Sequence, residues 1–219
     1  MKKYYAPDFA HHVQTPMPTR GKYAKGFALG AVIHYTAGRD GAEKTIMGGI
    51  KNGYTYWCIQ KDGKLFAAHD ADKWGYHCGE STWQKFISKL KGNLSDDLLG
   101  IEINNAGMLK KQTDGTFKSW YGETIPKENV RYVDGKSPDQ APGYYEKYTP
   151  AQEETLIQTI LWLKAQRPEI FDLDCVLGHC EISGKLALGK WRKVDPGGSL
   201  SCSMPEFRKI LKERWERIK

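Results

Sequence analysis

The segment "FALGAVIHYTAG", residues 27–38, decides the class of fold. Its β-branched and apolar centre reads as a buried strand, and His34 falls at the strand's end, just before a glycine-containing loop. Outward from this strand the elements alternate. "AEKTIMGGIKNG" (42–53) has apolar residues at helical spacing and glycines at its end, so it reads as a short helix. "YTYWCIQKDGKLFAAHD" (54–70) reads as two strands joined at Asp62-Gly63, a pair suited to the positive φ angles of a hairpin turn. "DLLGIEINNAG" (97–107) is another strand, in which Glu102 faces the opposite way from Ile101 and Ile103. "YTPAQEETLIQTILWLKAQRP" (148–168) is the best helix, with Thr149 as N-cap, Pro150 at N1, Gln152 closing a capping box and Pro168 ending it. "DCVLGH" (174–179) follows as a strand, and "SMPEFRKILKERWERI" (203–218) as a final helix with Ser203 and Glu206 in a second capping box.

Interleaved strands and helices place the chain in the α/β class, as a single domain with a mixed central β-sheet flanked by helices. Residues 1–27, rich in Pro, Tyr and basic residues, read as an irregular arm packed on or preceding a domain over 28–219. Residues 107–148 show no clear period and are longer than an ordinary connection, so they read as an insertion over one face.

A chain of 219 residues is enough for one sizeable core, and 40% hydrophobic with 27% charged residues is the composition of a folded protein. The net charge of +7 attracts polyanions but does not choose among nucleic acid, an anionic membrane and a cell wall. Five cysteines without CxxC spacing favour reduced thiols over a disulfide framework or a four-cysteine zinc module. The N-terminal lysines have no apolar stretch behind them and no apolar run reaches 18 residues, so neither a Sec signal peptide nor a membrane span is expected.

His34 and His179 each sit where an apolar strand gives way to a glycine-containing loop, a common place for functional side chains. Taken singly, each is more often a hydrogen-bonded structural residue. Together with Asp195 they make three ligands of the kind catalytic zinc uses while leaving a fourth position for water.

In order along the chain, "VIHYTAG" (32–38), "IQKDGKLF" (59–66), "GYHCG" (75–79), "GIEI" (100–103), "GHCEIS" (178–183) and "KVDPG" (193–197) resemble the motifs of zinc-dependent N-acetylmuramoyl-L-alanine amidases of the type 2 group. The resemblance covers about residues 30–200 and implies that His34, His179 and Asp195 bind Zn2+, with Lys193 beside the reacting carbonyl. Glu102 matches the general base of one branch of the family. The tyrosine used by another branch aligns with Thr55, flanked by Tyr54 and Tyr56. His77 matches a groove-lining histidine, and Trp74 and Arg192 are expected with it as substrate contacts. Tyr76 stands where relatives usually carry tryptophan. Trp120, Tyr121 and Trp191 are either stacking platforms for sugar rings or core residues, whereas His11, His12 and His69 match nothing and read as surface residues.

The activity so implied is hydrolysis of the amide between N-acetylmuramic acid and the L-alanine of the peptidoglycan stem peptide. An endolysin of phage or prophage origin is the expected role, made in the cytoplasm and acting on the wall after release. The alternatives are a cytoplasmic muropeptide-recycling amidase and a non-catalytic peptidoglycan-binding protein. The expected partner is peptidoglycan or a muropeptide, not nucleic acid, and the expected state is a monomer.

Overall fold

The structure, a computed structural model, describes residues 11–12, 19–86 and 88–219. A six-stranded sheet runs in the order β1 (His11–His12), β5 (Leu65–Ala67), β4 (Trp57–Ile59), β7 (Leu98–Ile103), β3 (Gly30–Tyr35), β13 (Val176–Gly178). β5 and β4 are antiparallel and the other neighbours parallel, so the sheet is mixed as expected. The helices are α1 (Ala42–Lys51), α2 (Pro150–Gln166), α3 (His179–Ser183), α4 (Lys185–Leu188) and α5 (Met204–Glu216).

Strand alternation divides the chemistry between the two faces of the sheet. Ala31, Ile33, Ile101 and Ile103 point to one face and join Leu156 and Ile160 of α2 and Phe207 and Leu211 of α5 in the main core. Val32, Leu98 and Leu177 point to the other face and pack with Cys78, Leu94 and Ile182 in a smaller core. His34 and Glu102 are direct partners in the β3–β7 register, so both project from this second face.

Both helix starts read from the sequence are present. Thr149 Oγ1 accepts from the Gln152 N–H at 3.1 Å while Gln152 Oε1 accepts from the Thr149 N–H at 3.0 Å. The reciprocal pair between Ser203 and Glu206 closes α5 in the same way. The hairpin differs in detail. Its turn runs from Gln60 to Gly63, closed by the Gly63 N–H on the Gln60 carbonyl, and of the Asp-Gly pair only Gly63 takes a positive φ, +85°. The longer loop puts Gly63 alone in the left-handed bulge position.

Much of the arm expected over residues 1–27 lies outside the described residues. The described part is not irregular throughout. His11–His12 pairs with β5, β2 (Gly21–Lys22) pairs with β6 (Lys73–Trp74), and Tyr23 and Phe27 are buried in the main core.

The segment 107–148 departs most from its reading. It forms a five-stranded antiparallel sheet in the order β10 (Thr124–Ile125), β9 (Phe117–Lys118), β8 (Met108–Lys111), β12 (Gly143–Glu146), β11 (Val130–Val133). Ala106, Leu109, Phe117 and Ile125 form its own small core. Strands of two to four residues are too short to display a period, which is why the sequence shows no clear pattern there.

Candidate active site

Three side chains from separate elements converge. His34 ends β3, His179 opens α3 directly after β13, and Asp195 lies in the loop before Pro196. His34 Nδ1 is 3.0 Å from His179 Nδ1 and 3.1 Å from Asp195 Oδ2, and His179 Nδ1 is 3.0 Å from the same oxygen. All three residues are buried, and their donor atoms form the one cluster of metal-ligand type among the described residues.

Each member is held by a local device. The Tyr148 hydroxyl donates to the His34 carbonyl at 3.0 Å, which fixes the end of β3. His179 Nε2 lies 2.9 Å from the Cys78 carbonyl, and because a carbonyl only accepts, Nε2 carries the hydrogen and Nδ1 keeps its lone pair for the cluster. The first turn of α3 is locked by Glu181. Its carboxylate accepts from the Gly178 N–H at 3.0 Å and takes a two-pronged ion pair from Arg208 of α5 at 2.7 and 2.8 Å. The Asp195 carbonyl accepts from the Cys180 N–H at 2.8 Å, tying the loop to α3.

The second sheet completes the loop's support. Tyr145 of β12 lies against Gly197 and Gly198, and Arg131 of β11 donates to the carbonyls of Gly198, at 3.1 Å, and Leu200. Residues 107–148 therefore brace the Asp195 loop, a role the sequence did not signal.

The electrostatics follow from this burial. Desolvation, with His179 beside it, lowers the His34 pKa to about 4, so the ring is neutral at pH 7 with a free lone pair. Burial pushes the Asp195 carboxyl up, but the influence of the adjoining His179 and His34 rings outweighs it and holds it well below the usual carboxylate range. Glu102 behaves oppositely. Burial, reinforced by the Asp195 charge and only partly offset by Lys193, raises its pKa to about 8. Its Oε2 is shielded from solvent without a hydrogen-bond partner.

The site opens into two adjoining cavities of about 260 and 290 Å3, which share His77, Glu102, His179, Arg192 and Lys193. The first adds Tyr54, Tyr56, Cys78 and Gly79; the second adds His34, residues 35–37, Val194 and Asp195. Arg192 is anchored on the rim through the Cys78 and Glu80 carbonyls, at 3.0 and 2.7 Å. Cys180 is buried beneath the loop and is not part of the cluster.

Other expected contacts lie elsewhere. Trp74 lines neither cavity, because β6 carries it to the β2 pairing, where its ring meets Tyr76 edge to face at 5.6 Å. Trp120 is 76% exposed and donates its indole N–H to the Ala37 carbonyl, on the cavity wall. His69, expected at the surface, packs beside Trp57 with ring centroids 6.3 Å apart. The side chains of His11 and His12 lie outside the described residues.

The fold and the site together define an α/β domain carrying a buried His-His-Asp cluster and an unpartnered carboxyl in one cleft. Residues 26–198 match the family model described as N-acetylmuramoyl-L-alanine amidase, and the chain belongs to that family. No curated protein matches the sequence.

Among solved structures, the chain is similar to AmiD from E. coli, in complex with anhydro-N-acetylmuramic acid-L-Ala-D-gamma-Glu-L-Lys, at 18% identity and TM-score 0.51. That match covers 84% of this chain and 58% of AmiD, so the chain spans a little over half of that protein's length. It is similar to AmpD at 19% identity and TM-score 0.55, over 96% of this chain and 98% of that one. The endolysin amidase LysCS from Clostridium intestinale gives 15% identity and TM-score 0.53, over 92% and 94% of the two chains. At these identities the likeness is one of fold.

Proposed function

We propose that this chain hydrolyses the amide between N-acetylmuramic acid and the L-alanine of the stem peptide, with Zn2+ held by His34, His179 and Asp195. The observation that carries the reading is the convergence of His34 Nδ1, His179 Nδ1 and Asp195 Oδ2 in the cleft that also holds the unpartnered Glu102 carboxyl. Two neutral imidazole nitrogens and one carboxylate oxygen are a fitting donor set for zinc with a position left open. When bound, the ion supplies Lewis acidity and makes water acidic enough to attack at neutral pH.

The chain's own groups do the rest. Glu102 accepts the proton of the attacking water and returns it to the leaving amine nitrogen; a carboxyl whose pKa of about 8 lies close to the working pH suits both directions of transfer. Lys193, on the wall of both cavities, places its ammonium to stabilise the oxyanion of the tetrahedral intermediate. Arg192, fixed by two carbonyls on the rim, offers a cation to the carboxylates of the stem peptide.

The role proposed within the family is that of an endolysin acting on the polymeric wall after release from the cytoplasm. The net charge of +7 supports it, as does the exposed, hydrogen-bonded Trp120 beside the cleft. Digestion of purified sacculi, with and without a chelator and with products identified by mass, tests the whole reading. The expected products are stem peptides with free alanine amino termini, abolished by the chelator and restored by zinc. Protein that binds sacculi and releases no such termini even with zinc supplied would establish a non-catalytic binder instead. Turnover confined to soluble muropeptides would establish a recycling enzyme.

A further inference from the structure

His77 occupies a seat that the surrounding backbone builds for it. Its backbone N–H donates to Ser95 Oγ at 3.0 Å, and its Nε2 lies 2.9 Å from the Leu98 carbonyl oxygen. The ring abuts Gly100 so closely that a Cβ there would come within 2.6 Å of His77 Cγ. The other ring nitrogen, Nδ1, lies 3.1 Å from His34 Nε2, and the two rings meet edge to face at 86° with centroids 5.3 Å apart. Cys78 Sγ is 3.2 Å from His77 Nδ1 and 3.8 Å from Nε2, too near both nitrogens to be an in-plane partner of either.

These contacts leave one assignment of hydrogens for neutral rings. The Leu98 carbonyl only accepts, so His77 Nε2 carries its hydrogen and Nδ1 presents a lone pair. That lone pair takes the hydrogen of His34 Nε2. His34 Nδ1 is then left with its lone pair turned towards His179 and Asp195. His179 is governed by a parallel bond from its Nε2 to the Cys78 carbonyl. Two consecutive residues, one through its side chain and one through its backbone, thus face the outer nitrogens of both histidines in the cluster.

We infer that His77 is a positioning residue for His34: it fixes the tautomer and ring direction that present His34 Nδ1 to the metal. The inference rests on reading the cluster as a zinc site. Outer partners of this kind commonly change metal affinity by about 10- to 100-fold when removed. Gly100 belongs to the same device, since only a residue without a Cβ leaves the seat open.

The test is zinc affinity of the full chain by competition with a chromophoric chelator, without substrate. His77→Phe is expected to weaken zinc binding by about 10- to 100-fold. His77→Asn, whose Oδ1 can still accept from His34 Nε2, is expected to recover part of that loss, and Gly100→Ala to weaken binding in the same direction as His77→Phe. His34→Ala serves as the control: unchanged zinc affinity there would overturn the metal-site reading itself. Loss of zinc in His34→Ala with wild-type affinity in His77→Phe, and a raised KM on muropeptide instead, would overturn the positioning role alone. Should His77→Phe fail to fold, wild-type affinity in both His77→Asn and Gly100→Ala would overturn it equally.

Discussion

Tyr145 rests on Gly197 with no room for a side chain between them: a Cβ at that glycine would lie 2.7 Å from Tyr145 Cε1, and one at Gly198 would lie 2.7 Å from Cδ2. The tyrosine belongs to the second sheet and the glycines to the loop that carries Asp195, so the contact joins two parts of the chain about fifty residues apart. Gly197 also has φ +48°, whereas Gly198 lies outside the left-handed region, which separates steric from conformational need.

Gly198→Ala therefore tests the contact alone. Overpacking of this kind costs about 1–3 kcal/mol, and here the displacement would pass to the Asp195 loop. The expected result is a lower denaturation midpoint together with weaker zinc binding. Unchanged zinc affinity in a destabilised variant would mean that the second sheet braces the fold but not the metal loop.

Glu102 sets catalysis against stability. Its pKa is raised from 4.5 to about 8 by burial and the Asp195 charge, so between those values the folded, metal-free protein holds a proton that the unfolded chain releases. Stability then falls as pH rises through that window, because the unfolded state binds fewer protons. Glu102→Gln removes the dependence. Its metal-free form is expected to melt above the parent at pH 8, with the gap closing towards pH 4.5, while zinc affinity stays and turnover drops by about 100-fold or more. Melting curves at several pH values check the first part; a gap that widens on acidification would refute it. Retained turnover would move the base role to Tyr54 or Tyr56.

Glu181 and Arg208 form the ion pair that fixes the first turn of α3, and therefore His179, against α5. Both side chains are largely withdrawn from water. Removing one partner from a buried pair leaves an uncompensated charge and costs about 3–5 kcal/mol. Arg208→Met should lose stability on that scale by denaturant titration, and should lose more zinc affinity than a cut of similar cost far from the site, such as Leu211→Ala. Equal zinc affinity in the two variants would confine the pair to a structural role.

How far the sequence could be read depends on the range of the signals. The strand bearing His34, the strand bearing Glu102 and both capped helices were legible because each is a local pattern: an apolar run, an alternation, a cap three residues from its partner. The convergence of His34, His179 and Asp195 was reached through motif resemblance, since no local pattern relates β3 to a loop after α4. The second sheet escaped because its strands are shorter than one readable period. His77 was expected to line the groove from motif resemblance and lines both cavities; its hold on His34 was not legible because its neighbours in sequence say nothing of Leu98 and Gly100, which build its seat. The glycine of "GIEI" was the available signal, a missing side chain in the middle of a strand. The place of Trp74, outside both cavities, was not legible for a related reason: an aromatic residue near a motif does not reveal which strand pairing will hold it.

Trp120 offers the sharpest test of the proposed wall-lytic role. It is 76% exposed, its one polar atom is already satisfied by the Ala37 carbonyl, and Tyr121 meets it edge to face at 5.7 Å. The ring is thus held in one direction with an open face, beside Ala37, which lines the cleft. An aromatic face of this kind suits the apolar side of a sugar ring. Glycan extends beyond the scissile bond only in polymeric substrate, so the contribution should depend on substrate length. Trp120→Ala is expected to raise KM on sacculi by about 5- to 20-fold, equivalent to about 1–2 kcal/mol, while leaving kcat and the hydrolysis of a single muramoyl-tripeptide unchanged. Equal losses on both substrates would assign Trp120 to support of the Ala37 loop, and no loss on either would leave the wall-lytic reading without its structural support.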